Sequence, residues 1–211
     1  MGSEMCIRDR SKTSELDPVP TWLVKECAVI LAPFFAYVFN DSLQKGHLSP
    51  EQKRAIIYPG LKKPSLNPDD LANYRPISNL SFVSKLLERA VHAQLLIYEL
   101  LPSVQSAYRQ FFSTETAVLK VVSDVLTAMD RGQITLLCMF DLSAAFDTVD
   151  HAILLKRLDV SFGIRGNALN WFASYLSGRS QQVSVHGILA SSFYLDFGVP
   201  QGSVLGPVLF L

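Results

Sequence analysis

In the stretch LLCMFDLSAAFDTVDH, residues 136–151, a near-continuous apolar run ends abruptly in Asp141. Such a run has the composition of a strand buried on both faces. A carboxylate at its end would stand at the rim of a sheet, where cations and substrates can reach it. The same residue could equally cap the helix or turn that follows, a common task for aspartate. A second stretch, GVPQGSVLGP at residues 198–207, sets Gln201 between Gly198 and Gly202. The glycines free the backbone for close approach to a ligand, and the glutamine both donates and accepts hydrogen bonds. Taken alone, this stretch also fits an ordinary loop before a helix.

The elements that must position these residues follow from periodicity. From about Thr21 to Leu43, apolar residues recur at three- and four-residue steps, an amphipathic helical pattern with a possible break near Pro33. AIIYPGLKK, residues 55–63, has the pattern of a short strand closing in Lys62 and Lys63, and SLNPDDLANYRP after it that of a loop. Helices are expected over Ser81–Leu101 and Ser113–Met129, the second with a capping region in Ser113-Thr114-Glu115-Thr116. A strand is expected over Ile134–Leu142, then short helices over His151–Leu158 and Ala168–Leu176, with Asp150 as a cap for the first. Gln182–Val185 and Ser192–Phe197 suggest two strands of a hairpin around Gly187.

Composition bounds the rest. With 49% hydrophobic and 18% charged residues among 211, the chain is an ordered globular one. A formal net charge of zero gives no general attraction to phosphate, so nucleic-acid binding would need a local basic surface. Cys6, Cys27 and Cys138 are odd in number and widely spaced, which fits neither a disulfide framework nor a zinc site and suggests a reducing compartment. No apolar run reaches the roughly 20 residues that span a bilayer. Met1–Arg10, MGSEMCIRDR, has no secretory pattern and resembles translated adaptor sequence, so residues 1–16 are expected to be a non-native or disordered leader. GPVLFL stops inside an apolar run, and both ends have the look of a cut.

Several segments, in this order, resemble one family. FDLSAAFDTVDH looks like motif A, and GVPQGSVLGPVLF like motif B, of reverse transcriptases of the non-LTR (LINE-type) retroelements. NYRPISNLSFVSKLLER and QSAYRQFFSTETAVLKVV resemble the fingers motif and the motif that follows it, and AIIYPGLKK matches the basic strand before them. The resemblance runs from about residue 17 to residue 211. It implies an α+β right-hand polymerase, with N-terminal helices and fingers over residues 17–130 and a partial palm over residues 131–211.

By the same resemblance, Asp141 would be the first metal-binding carboxylate of a two-Mg²⁺ nucleotidyl-transfer centre, with the backbone carbonyl of Leu142 as a further ligand. Phe146 matches the steric gate that favours dNTPs over rNTPs, beside the plainer reading that it is core. Lys63 (or Lys62) and Arg75 match the residues that grip the triphosphate, the arginine by bidentate pairing. Gln201 and Gly202 would line the dNTP pocket. The partners implied are an RNA template, a DNA primer and dNTPs. The site of action implied is nuclear or cytoplasmic.

The chain departs from the family in one chemically decisive place. The second carboxylate motif, an aromatic residue followed by Ala-Asp-Asp, does not follow Gln201, and the sole Asp-Asp pair, Asp69-Asp70, lies in the fingers loop. One carboxylate under-compensates two Mg²⁺ ions, so the chain on its own is expected to be catalytically inactive. The alternative reading is a non-catalytic nucleic-acid-binding module, or a relic, derived from a retroelement.

Overall fold

Side chains alternate between the two faces of a strand, so the burial of the consecutive residues Ala55, Ile56 and Ile57 shows that Arg54–Leu61 (β1) is covered on both faces. The computed structural model describes residues 14–98, 104–109, 111–142 and 144–211. In it β1 pairs antiparallel with Tyr74–Leu80 (β2), in a register that sets Ile57 opposite Ser78 and Gly60 opposite Arg75. On its other side β1 pairs in parallel with Arg179–Val185 (β3), residues 54–57 meeting residues 180–183. Ile188–Leu189 (β4) and Phe193–Leu195 (β5) both run antiparallel to β3, which completes a mixed five-stranded sheet. The turn between β3 and β4 is His186-Gly187, with φ of 51° and 80°, the positive values that a two-residue hairpin favours.

The helices supply the core. Thr21–Glu26 (α1) and Ala28–Lys45 (α2) are followed, beyond β2, by Phe82–Ile97 (α3) and Thr114–Asp130 (α4). His151–Val160 (α5) and Gly166–Leu176 (α6) precede β3, and Gly206–Phe210 (α7) closes the described chain. On α6 the residues Trp171, Phe172, Tyr175 and Leu176 form one buried stripe at helical spacing. The stripe meets Phe39 of α2, Leu87 and Val91 of α3 and Leu158 of α5. The Trp171 ring stacks on Tyr175 at 5.5 Å, and its Nε1 donates to Ser42 Oγ at 3.0 Å, so the indole is both packed and satisfied.

Several expectations are met and others corrected. The cap at Ser113 is a full capping box with Thr116, and Asp150 caps α5 by accepting from Ile153 N at 2.9 Å. The break in the first helical region falls at Cys27 rather than Pro33, which lies inside α2. Pro33 cannot serve the carbonyl of Val29, but both residues face solvent, where water can bond the carbonyl instead. The residues Tyr74-Arg75-Pro76, expected as the end of a loop, open β2. The tail of the helix expected over Ser81–Leu101 reaches residues 99–101, outside the described residues, as does the leader up to residue 13.

The largest correction concerns Ile134–Leu142. It is no strand and it is not buried: Ile134 is 100% and Phe140 93% exposed. A strand exists only through its ladder, and among the described residues no strand lies beside this segment. Helix α4, which leads into it, likewise buries no residue.

Candidate functional site

The stretch 198–206 is where distant parts of the chain converge. Gly198 and Gly202 hold φ of 83° and 118°, values that side-chain-bearing residues rarely adopt. A Cβ on Gly198 would lie 2.8 Å from Phe146 O, and one on Gly202 would lie 2.7 Å from Ser78 O. Both glycines are therefore required by close approach as well as by conformation.

Three sets of hydrogen bonds fix the loop. The first joins it to the turn after Asp141, where Ala145–Thr148 forms a short 3-10 helix. There Gly198 N donates to Val149 O and Val199 N to Phe146 O, each at 2.8 Å. His151 Nε2 lies 2.8 Å from Gly198 O; a carbonyl can only accept, so Nε2 carries the proton. The second set is one bond, from Ser78 N of β2 to Gln201 O at 2.8 Å. The third comes from α3, where Glu88 Oε2 accepts from Val204 N at 2.6 Å and Leu205 N at 3.0 Å. Within the loop, Ser203 Oγ donates to Pro200 O and accepts from Gly206 N.

Between β2, the 3-10 turn and this loop lies a cavity of about 310 Å³, bordered by Ser78, Pro76, Asp147, Gln181, Phe197 and Gln201. Of the residues singled out in the sequence, Gln201 lines it and Gly202 adjoins it. Phe146 does not border it, although the next residue, Asp147, does: half-buried, Phe146 packs on the core, with its ring 5.4 Å from that of Phe210. Lys62 and Arg75 lie along the outer end of the β1–β2 ladder, where Lys62 N donates to Asn73 O and its Nζ to Ala72 O. Arg75 is exposed and, by strand alternation, on the opposite face of β2 from Ser78. Lys63 is exposed beyond the strand end. Asp141 and Leu142 lie on the exposed segment and do not border the cavity.

Three residues of the site carry no signal in the sequence. Glu88 has the look of a surface glutamate on a helix, yet it is 1% exposed. Burial pushes its carboxyl above the usual range, while the Arg179 charge and the two backbone donors pull it back. Arg179 is equally buried, donates to Tyr175 O at 2.8 Å and lies over the Tyr175 ring. The Tyr175 hydroxyl is pushed up, first by burial and then by the Glu88 charge.

No group of three or more His, Cys, Asp or Glu side chains able to hold a metal occurs among the described residues. Asp141 and the Leu142 carbonyl are hard oxygen donors of the type Mg²⁺ takes, but two donors on an exposed segment do not make a two-ion centre. The described residues by themselves do not fit that group.

Residues 61–211 match the family model of the reverse transcriptase (RNA-dependent DNA polymerase). The chain belongs to the reverse transcriptase family. Its similarity is to the polymerases of mobile elements in particular: it is 33% identical over 84% of its length to the RNA-directed DNA polymerase from mobile element jockey of Drosophila melanogaster, of which it covers 19%. To the jockey polymerase of Drosophila funebris it is 31% identical over the same share of both chains. A probable RNA-directed DNA polymerase from transposon BS of Drosophila melanogaster is 31% identical over 94% of the chain and 22% of the relative. The chain thus spans about a fifth of the length of these relatives. No helix among the described residues is long and apolar enough to cross a membrane.

Proposed function

We propose that residues 17–130 and 131–211 are the fingers and the first part of the palm of a non-LTR retroelement polymerase, which extends a DNA primer on an RNA template. The observation that carries this reading is the glycine loop 198–206, tied at once to the turn after Asp141 and to the strand that bears Arg75. A nucleotide pocket needs such a junction, because triphosphate, sugar and base must be gripped from different segments. Gln201 and Gly202 form the floor under the nascent base pair. Phe146 sits beside the sugar, and its packing on Phe210 and the core makes it a rigid gate. Lys62, Lys63 and Arg75 supply the positive charge for the triphosphate. Asp141, with the Leu142 carbonyl, contributes one side of an Mg²⁺ centre whose ions supply charge neutralisation at the reacting phosphate.

The 211 residues alone are inactive on this reading, since the described residues do not gather the carboxylates that two ions need. The test is a chimera in which residues 61–211 replace the matching segment of the Drosophila melanogaster jockey polymerase. RNA-templated incorporation of dNTPs that is lost in Asp141→Asn, and a raised rate with rNTPs in Phe146→Val, are expected. A folded chimera that incorporates nothing, or an Asp141→Asn variant that keeps full activity, overturns the assignment.

A further inference from the structure

We infer that Glu88 is a positioning residue: its buried carboxylate clamps the downstream end of the 198–206 loop and thereby holds Gln201 and Gly202 at the cavity. The inference rests on the proposed nucleotide pocket for its functional consequence, but not for the clamp itself.

An acidic side chain taken wholly out of water is costly unless converging donors compensate it. For Glu88 the N–H groups of Val204 and Leu205, both on Oε2, offset part of that cost, while Oε1 is buried without a hydrogen-bond partner. These two residues lie directly beyond Gly202 and Ser203. Upstream, Gln201 is held through its carbonyl by Ser78, and Gly198 and Val199 by Val149 and Phe146. Gln201 and Gly202 therefore span the gap between two anchors, and Glu88 is the downstream one. Gly202 has no Cβ with which to lock its own backbone, so the segment depends on both ends being fixed.

Glu88 itself is placed by a rigid element. Ser81 caps α3 by accepting from Ser84 N at 3.2 Å, and Ser84 Oγ donates to Gln52 O, just ahead of β1. Leu87 and Val91, on either side of Glu88 along the helix, sit in the core. The clamp thus refers the loop to the same frame that carries β1 and β2, and with them Lys62 and Arg75. A leucine of similar volume would pack in the same space but leave two N–H groups without their acceptor. Glutamine would keep an acceptor oxygen and discard only the charge.

The experiment uses the full 211-residue chain as wild type, Glu88→Gln and Glu88→Ala, with amide hydrogen exchange by NMR and binding of dATP in the presence of magnesium. In Glu88→Ala the Val204 and Leu205 amides should lose about tenfold or more of their protection, while those of Trp171–Leu176 keep theirs. Affinity for dATP should fall with the loop protection, and Glu88→Gln should restore both to near wild type. Unchanged protection at Val204 and Leu205 in Glu88→Ala overturns the clamp. If Glu88→Ala does not fold, Glu88→Gln decides: exchange at these two amides as fast as in an open loop overturns it, and retained protection supports it. Wild-type chain with protected amides but no dATP binding refutes the nucleotide consequence and the proposed pocket, and leaves the clamp standing.

Discussion

Replacing Gly202 with alanine puts a methyl group where the backbone of another strand already lies. The added Cβ would be 2.7 Å from Ser78 O, and the φ of 118° is one that alanine avoids. Ser78 cannot retreat freely, because it is buried, opposite Ile57 on the central strand, and donates to Gln201. The conformational cost alone is about 1–3 kcal/mol. Relieving the clash by moving the loop sacrifices the Ser78–Gln201 bond, a further 0.5–1.5 kcal/mol or roughly so. Together these predict a loss of about 2–4 kcal/mol, which at a typical urea dependence shifts the unfolding midpoint down by about 1–2 M. Gly187→Ala is the control, since that turn glycine has φ of 80° with nothing within 4 Å of a new Cβ, so it reports conformational strain without crowding. Urea unfolding of both variants, followed by tryptophan fluorescence, separates the two contributions. A Gly202→Ala midpoint no lower than that of Gly187→Ala would refute the close approach of loop and strand.

Trp171→Ala empties the centre of the core and removes the bond to Ser42, so it should cost about 3–5 kcal/mol in urea unfolding followed by circular dichroism, and a cost below about 1 kcal/mol would contradict the packing described. Glu88 has a carboxyl raised by burial, so its contribution to stability is present below the unfolded carboxylate range and is lost as pH rises through the folded value. Wild type should therefore lose stability relative to Glu88→Gln as pH rises above the ordinary carboxylate range; a constant difference refutes it, and His92, lowered by burial and of opposite sign, cancels in the comparison. Cys138 is exposed on the unpaired segment and Cys27 is half-buried, so a thiol reagent should modify Cys138 first, as peptide mapping after brief labelling would show. Equal rates would indicate that the segment is covered.

Local signals carried much of this fold. Helical spacing marked α3, α4 and α6, and side-chain caps marked the starts of α4 and α5, because these features are set by residues three or four apart. The turn at Gly187 was legible for the same reason, as it needs positive φ at neighbouring positions, but the strand that returns from it is Ile188–Leu189 and not the expected Ser192–Phe197, whose residues 193–195 pair with the start of β3. The strand β2 was hidden by Pro76 and by the loop-like residues that precede Tyr74, and forms because β1 lies alongside it. The apolar run at 134–142 erred the other way. It has the composition of a buried strand, but composition names no partner, and no described strand pairs with it. At the site, Gly198, Gln201 and Gly202 stood out by residue type. Glu88 did not, because nothing in LLER distinguishes a glutamate that faces water from one that faces two backbone amides across 116 residues of chain.

The place of β1 in the sheet has a consequence for the order of assembly. Its partner β2 lies a short loop away, so that pairing can form as soon as both are synthesised. Its other partner, β3, arrives only after residue 179, and until then one edge of an apolar strand waits open. Closing so long a loop is entropically costly and slow compared with a hairpin. Refolding should therefore proceed in two kinetic stages, with β1 amides facing β2 protected before those facing β3. A ribosome-bound chain would carry that waiting edge through the synthesis of α3 to α6, which is the interval in which a chaperone would find most to bind.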